Sequence, residues 1–308
     1  MILCCGEALI DMIPAPVMDG RDGFVPHPGG AVFNTAIALG RLGVRTGLLT
    51  GLSTDMFGQQ LSEALRSSHV DASLAITSDR PTTLAFVRLV NGHATYSFMD
   101  ENSAGRMVRV DDLPALPADV TCLFFGGISL ACEPGADAYA ALLAQEGIGR
   151  TVMLDPNIRP NFIRDIDRYR QRLGRMIARA DIVKVSDEDL NWIEPAPLSI
   201  TEKVQALLDA GPAIVILTRG SQGATGFLPD GAQVHVPAAS VEINDTVGAG
   251  DTFNAGVLAK FSEMGLLRKP DLHALSPDAL QEAMHHGARV AAVTVSRVGA
   301  NPPWAGEL

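Results

Sequence analysis

Apolar runs of strand length alternate with helical patterns along most of the chain, and this alternation constrains the fold more than any single residue. The strand candidates are residues 1–9, 46–51, 120–126, 151–155, 181–185 and 213–218. The helix candidates are 33–43, 57–68, 136–146, 165–179, 200–210, 251–264 and 278–296. Such a rhythm predicts an α/β fold, a parallel sheet with helices on its faces. The run Val120-Thr121-Cys122-Leu123-Phe124-Phe125 is nearly all apolar, as expected when both faces of a strand are covered. The length of 308 residues suits one large α/β domain or two ordinary ones. No internal repeat, low-complexity tract or interdomain linker is visible, and Pro195-Ala196-Pro197 reads as a loop inside the domain.

Charge and cysteine usage narrow the partners. With 24 basic against 35 acidic residues the formal charge is −11, which argues against nucleic acid and against an anionic membrane surface. Any phosphate site must therefore be built locally. Cys4, Cys5, Cys122 and Cys132 form no C-x-x-C pair, so they read as small buried hydrophobes in a reducing compartment. The apolar start MILCCGEALIDM lacks a basic leader region and reads as a first strand. No apolar stretch reaches membrane-spanning length. The cytoplasm is the expected location.

Residues 83–99 break the rhythm. Two β-rich runs surround Asn91-Gly92, a type I′ hairpin signal. Residues 11–28 are irregular and rich in Pro and Gly.

The stretch with most to say about chemistry is DTVGAGDTFNAG, residues 245–256. A glycine turn opening a helix offers bare N–H groups and a helix dipole to an anion. Asp251 at that place would repel a simple anion. It makes sense as a base taking a proton from a hydroxyl while the N–H groups of Gly248, Ala249, Gly250 and Asp251 stabilise a transferring phosphoryl group. The competing reading is a helix with an Asp cap after a Gly turn. Gly265 is the expected helix stop.

Together with Pro28-Gly29-Gly30-Ala31-Val32-Phe33-Asn34-Thr35-Ala36, about two hundred residues upstream, this segment resembles the paired signatures of the PfkB-type, ribokinase-like sugar kinases. The stretches GEALIDM, GGAVFNTAIALGRLG, YSFMDENSAGRM and DPNIRPNF look most like bacterial fructokinases. The resemblance covers nearly the whole chain. It implies a single ribokinase-like domain over 1–308, with a central mostly parallel sheet flanked by helices. It also implies a small β-sheet lid, built from about 11–28 and 82–110, that covers the sugar and often makes a homodimer contact. The competing reading of 83–99 is a surface hairpin with no gating role.

The resemblance also implies residue roles, several of them at strand ends, where open parallel sheets bind ligands. Asp11, read as closing the first strand, would hold sugar hydroxyls. Gly29, Gly30 and Asn34 would contact the sugar, although Val32 stands where many fructokinases carry Pro, and a capping role is the alternative for Asn34. Arg159 would reach the substrate from below the lid, against a structural ion pair as its alternative. Phe98, sharing a strand face with Tyr96, would pack over the sugar. Thr218, Gly220 and Gly223 in TRGSQG would lie under the nucleotide phosphates with Ser186, Gly248 and Gly250. Ser186 and Asp189 replace the family's Asn and Glu, leaving Asp189 as the Mg²⁺ candidate, Glu188 as a spare, and a solvated acidic helix start as the alternative. Asp245, Val247, Thr294 and Gly299 fall near the family's monovalent-cation (K⁺) loop, whose ligands are mostly backbone carbonyls.

The expected activity is transfer of the γ-phosphoryl group of MgATP to a sugar hydroxyl, with fructose giving fructose 6-phosphate. The alternatives are 2-keto-3-deoxygluconate kinase, whose acid substrate would need Arg159 or Arg106, and ribokinase or aminoimidazole riboside kinase. A non-catalytic sugar sensor of the same fold is a further reading. No GxxxxGK[ST] loop and no G-x-G-x-x-G after the first strand occur, which disfavours P-loop kinases and Rossmann dehydrogenases.

Overall fold

The computed structural model describes residues 1–16, 22–90 and 93–308, without the side chains of residues 22, 88–90 and 93–96. The chain opens with β1 (Ile2–Cys5), β2 (Leu9–Pro16), β3 (Asp22–Gly29) and α1 (Ala31–Arg41). It continues through β4 (Thr46–Leu49), β5 (Gly51–Ser53), α2 (Met56–Ser67), β6 (Val70–Asp71) and β7 (Ile76–Ser78). A hairpin, β8 (Leu84–Val90) and β9 (His93–Met99), precedes β10 (Cys122–Gly126), α3 (Gly135–Glu146) and β11 (Thr151–Asp155). Then come α4 (Ile166–Ile177), β12 (Ile182–Ser186), α5 (Asp187–Ile193), α6 (Ile200–Asp209) and β13 (Ile214–Thr218). The last elements are β14 (Ala224–Phe227), β15 (Gln233–Val236), α7 (Ala249–Glu263), α8 (Lys269–His273) and α9 (Pro277–Val295).

Nine strands form the main sheet in the order β15-β14-β13-β12-β11-β10-β1-β4-β6. It is parallel from β13 to β6, and β14 and β15 extend it antiparallel. The expectation of a parallel sheet thus holds for the centre. This antiparallel pair and the short α5 carry no long apolar run to announce them. Alternate side chains leave the sheet on opposite faces. Cys4, Cys122, Phe124, Met153, Ile182 and Ile214 pack with residues of α1, α7 and α9. Cys5, Leu123, Phe125, Val152, Leu154 and Val183 pack with residues of α3, α4 and α6 on the other. All four cysteines are buried and free.

A second sheet has the order β3-β2-β8-β9. Two sequence expectations change here. The first strand does not run over 1–9: it stops at Cys5, because Gly6 and Glu7 turn the chain from one sheet into the other. Asp11 therefore does not close a strand of the main sheet but lies inside β2 of the second. The run 46–51 likewise divides into β4 and β5, the latter paired with β7. The antiparallel pairing of β8 with β9 confirms the hairpin arms; the Asn91-Gly92 turn lies outside the described residues. Residues 100–110 follow the sheet without joining it.

Helix ends follow local chemistry. Asp55 caps α2, Ser276 caps α9, and Ser199 with Glu202 forms a capping box on α6. Gly265, at φ 71°, terminates α7, with the Leu266 N–H donating to the Phe261 carbonyl at 2.9 Å. α1 starts at Gly30, which has no side chain to cap it. Glu7 does so from a distance: its Oε1 accepts the Ala31 N–H at 3.1 Å and its Oε2 accepts the Ser129 N–H at 3.2 Å. One carboxylate thus joins the loops after β1 and β10. These are the neighbouring strands where the sheet order reverses direction, the crevice where such sheets bind ligands.

Candidate active site

The N-terminus of α7 is the centre of this crevice. Gly248 enters it at φ 77°, a left-handed conformation that favours glycine. A Cβ there would stand 2.7 Å from the Ala300 Cβ, so space also demands glycine. Among the described residues no acceptor meets the N–H groups of Gly248, Gly250 and Asp251. The Ala249 N–H differs from the expected set of four, since it donates to the Thr246 carbonyl at 3.3 Å. The turn and the first helical residues thus offer three unengaged donors and the positive end of the helix dipole.

Asp251 is buried beside these donors. Asn34, one turn into α1, donates from Nδ2 to Asp251 Oδ2 at 2.9 Å; it is not a capping residue. The next residue, Thr35, donates from Oγ1 to the Asp251 carbonyl at 3.1 Å. Adjacent side chains of one helix therefore hold both the carboxylate and the backbone of the candidate base. Burial pushes the Asp251 carboxyl up to about 7. The Asn34 hydrogen bond opposes the rise, Asp155 and Glu7 add to it, and Lys184 opposes it.

Sequence reasoning passed over the layer beneath. Lys184, buried in β12, donates to Asp155 Oδ2 at 3.0 Å, and Asn254 Nδ2 donates to the same oxygen at 2.7 Å. The signal was present: a lysine interrupts the otherwise apolar run Ile182-Val183-Lys184-Val185. Thr35 and Asn254 had no such signal, because each sits unremarkably within a motif.

The second sheet forms one wall. Asp11 pairs with Ala85 in β8, and Ala85 pairs with Phe98 in β9, so Asp11, Ala85 and Phe98 occupy one rung. Burial raises the Asp11 carboxyl to about 6, and no hydrogen-bond donor meets it among the described residues. Gly29 makes room for it: a Cβ there would lie 2.1 Å from Asp11 Oδ2. Gly30, at φ 107°, turns the chain from β3 into α1. Phe98 meets Phe162 edge-on, with ring centroids 4.4 Å apart. Phe162 lies three residues past Arg159, so the rung and the DPNIRPNF segment come together. The Tyr96 side chain lies outside the described residues. Arg159 is exposed and, among the described residues, bonds to the backbone carbonyls of Asn157 and Ile158 and meets no carboxylate. Arg106, in contrast, is committed to Asp100 and to the Glu133 carbonyl.

The opposite flank carries the other expected residues. Thr218 ends β13, and Gly220 and Gly223 both have positive φ. A Cβ on Gly223 would meet the Val236 carbonyl at 2.1 Å. Between them, Arg219 has a buried Nε without an acceptor and no ion pair among the described residues. Ser186 and Asp189 form the capping box of α5. Asp189 Oδ2 accepts from Ser186 N at 3.1 Å and Oγ at 2.8 Å, and Oδ1 accepts from Ile158 N at 2.7 Å. Both oxygens of this buried carboxylate are thus engaged by protein donors. Asp187 and Glu188 on the same turn are exposed. Asp245 joins two loops, accepting from Val247 N at 3.0 Å and from Gly299 N at 2.9 Å.

Comparison with known proteins agrees with this geometry. The family model described as pfkB family carbohydrate kinase matches residues 1–305. A fructokinase of Rhizobium leguminosarum bv. trifolii is 49% identical over 285 residues, covering 91% of this chain and 86% of the relative. The fructokinase of Xylella fastidiosa, solved with bound ATP, superposes with a TM-score of 0.89 at 27% identity, over 97% of this chain and 93% of that one. The Vibrio cholerae O395 fructokinase double mutant, solved with fructose, ADP and potassium ion, gives a TM-score of 0.84 at 27% identity over the same shares. The chain belongs to the pfkB family of carbohydrate kinases.

Proposed function

We infer that this chain is an ATP-dependent fructokinase, transferring the γ-phosphoryl group of MgATP to fructose to give fructose 6-phosphate. The observation that carries the reading is Asp251, a buried carboxyl raised to about 7 beside three unengaged backbone donors. A base with a pKa near the working pH takes a hydroxyl proton well. The donors meet charge as it develops on the phosphoryl group. Similarity to fructokinases, two of them solved with nucleotide, supports the substrates.

The other roles follow from position. Asp11 accepts hydrogen bonds from sugar hydroxyls, with Gly29, Gly30 and Phe98 shaping the pocket and Arg159 closing it. Asn34 keeps Asp251 oriented. Ser186, Thr218, Gly220 and Gly223 lie at strand ends on the nucleotide side, where the guanidinium of Arg219 offsets polyphosphate charge. The magnesium ion arrives with ATP as part of the substrate. The loops joined by Asp245 are the monovalent-cation site. The β2-β3-β8-β9 sheet is the lid. Exposed Phe24, Val25 and Met99 on it support a homodimer through the lid, which light scattering checks. Reduced cysteines support a cytoplasmic location; among the described residues no helix is long and apolar enough to cross a membrane.

The test is Asp251→Asn. We expect turnover to fall about 10³-fold while fructose and ATP still bind by calorimetry. Near-normal turnover would remove Asp251 as the base. Fructose, 2-keto-3-deoxygluconate, ribose and aminoimidazole riboside compared in an ADP-release assay test the substrate. Arg159, without a carboxylate partner among the described residues, is the observation that favours the acid sugar, and preference for it would overturn fructose.

A further inference from the structure

Lys184 is a charged residue in a strand that is buried along nearly its whole length. Buried ion pairs rarely add net stability, because removing two charges from water costs about as much as their attraction returns. The position of this pair is informative. A Cβ on Gly250 would lie 3.2 Å from Lys184 Nζ, so the ammonium abuts the backbone of the catalytic turn. Asn254, three residues beyond Asp251 on α7, grips Asp155 at 2.7 Å. One carboxylate thus ties the ammonium of β12 to the helix that bears the base.

The charges around Asp251 make this ammonium distinctive. Glu7 from the loop after β1, Asp155 from β11 and Lys184 from β12 all act on it, together with the neutral Asn34 amide from α1. Lys184 is the single cation among them. Burial alone would favour its loss of a proton, but Asp155 beside it holds it charged, above its ordinary value. Asp189 and Asp251 act in the same direction.

We propose that Lys184 is a positioning residue for phosphoryl transfer. Asp155 and Asn254 hold its ammonium against Gly250, where one buried positive charge supports both the backbone donors that receive the phosphoryl group and the ionised form of Asp251. The inference rests on Asp251 as the base. It also gives Gly250 a reason to be glycine, since an added Cβ would press on the ammonium at 3.2 Å.

The test uses Asp155→Asn, Lys184→Met and the double variant, each checked for folding by circular dichroism. Asp155→Asn removes a carboxylate that raises Asp251 and leaves the ammonium facing Asp251 and Asp189, so the acidic limb of the kcat/KM profile should move down by about one pH unit. The double variant should lose that downward shift. Lys184→Met should lower kcat by about tenfold or more, with KM for fructose and ATP within about threefold. If Lys184→Met does not fold, the other two variants decide. A limb unmoved in Asp155→Asn, or a shift that persists in the double variant, overturns the proposal. Those outcomes with an inactive Asp251→Asn sink this inference alone; an active Asp251→Asn sinks the base assignment first.

Discussion

Asp251 at the start of α7 and Asp11 in the second sheet are held in opposite ways. Asp251 is bonded by Asn34, braced through its own carbonyl by Thr35, and underlain by Lys184, Asp155 and Asn254. Asp11 has no donor among the described residues and only a glycine making room beside it. One is partnered by the fold and the other is left open among the described residues. Catalysis profits from donors fixed before the reaction begins. A polyol site profits from acceptors left open, since hydroxyls supply the missing hydrogen bonds. Variants on the helix side should therefore act on turnover, and variants on the sheet side on substrate affinity.

The largest expected effect is the turnover loss of Asp251→Asn. The same substitution probes the comparison through stability. The folded chain raises this carboxyl from 3.8 to about 7, so it binds the proton more tightly than the unfolded chain does. Its cost to folding is absent below the unfolded value, grows as pH rises between the two values, and is full above about 7. Asp251→Asn should remove that cost, raising stability at about pH 8 on the order of 3 kcal/mol. A thermal melt at about pH 8 should show the gain and one near pH 4 should not. An unchanged melt at both would mean that burial does not disfavour the ionised carboxylate.

Gly248→Ala tests the turn. The added methyl meets Ala300 in a left-handed backbone, and kcat should fall about 100-fold with fructose KM little changed. A rise confined to KM would break the division between the two sides. Asp11→Asn is the smaller, converse case. Fructose KM should rise about tenfold, with kcat falling less. With Asp11 intact, KM should rise as pH falls below about 6, where its carboxyl takes a proton. Initial-rate kinetics between about pH 5 and 8 would show this.

The legible parts of the molecule were those with a local cause. Six of the seven parallel strands of the main sheet fall within apolar runs, and Asp251 stood in a motif whose glycines and carboxylate together suit phosphoryl chemistry better than a capped helix alone. Gly265 ended its helix where the pattern did. What stayed hidden depended on distant partners. Nothing near Glu7 says that it caps a helix starting at residue 31. Nothing in Ser186-Asp187-Glu188-Asp189 says that Asp189 spends its oxygens on Ser186 and on Ile158, thirty-one residues upstream. Asp11 was assigned to the wrong sheet, because Gly6 and Glu7 divert the chain without interrupting its hydrophobicity.

The contact between Gly248 and Ala300 also bears on the order in which the molecule is made. Asp245 reaches Gly299, and Arg41 holds the Asn301 side chain at 2.8 Å and the Pro302 carbonyl at 2.9 Å. The turn before α7 is thus backed by chain synthesised some fifty residues after it. During synthesis this turn therefore lacks its backing until residue 302 has emerged from the ribosome.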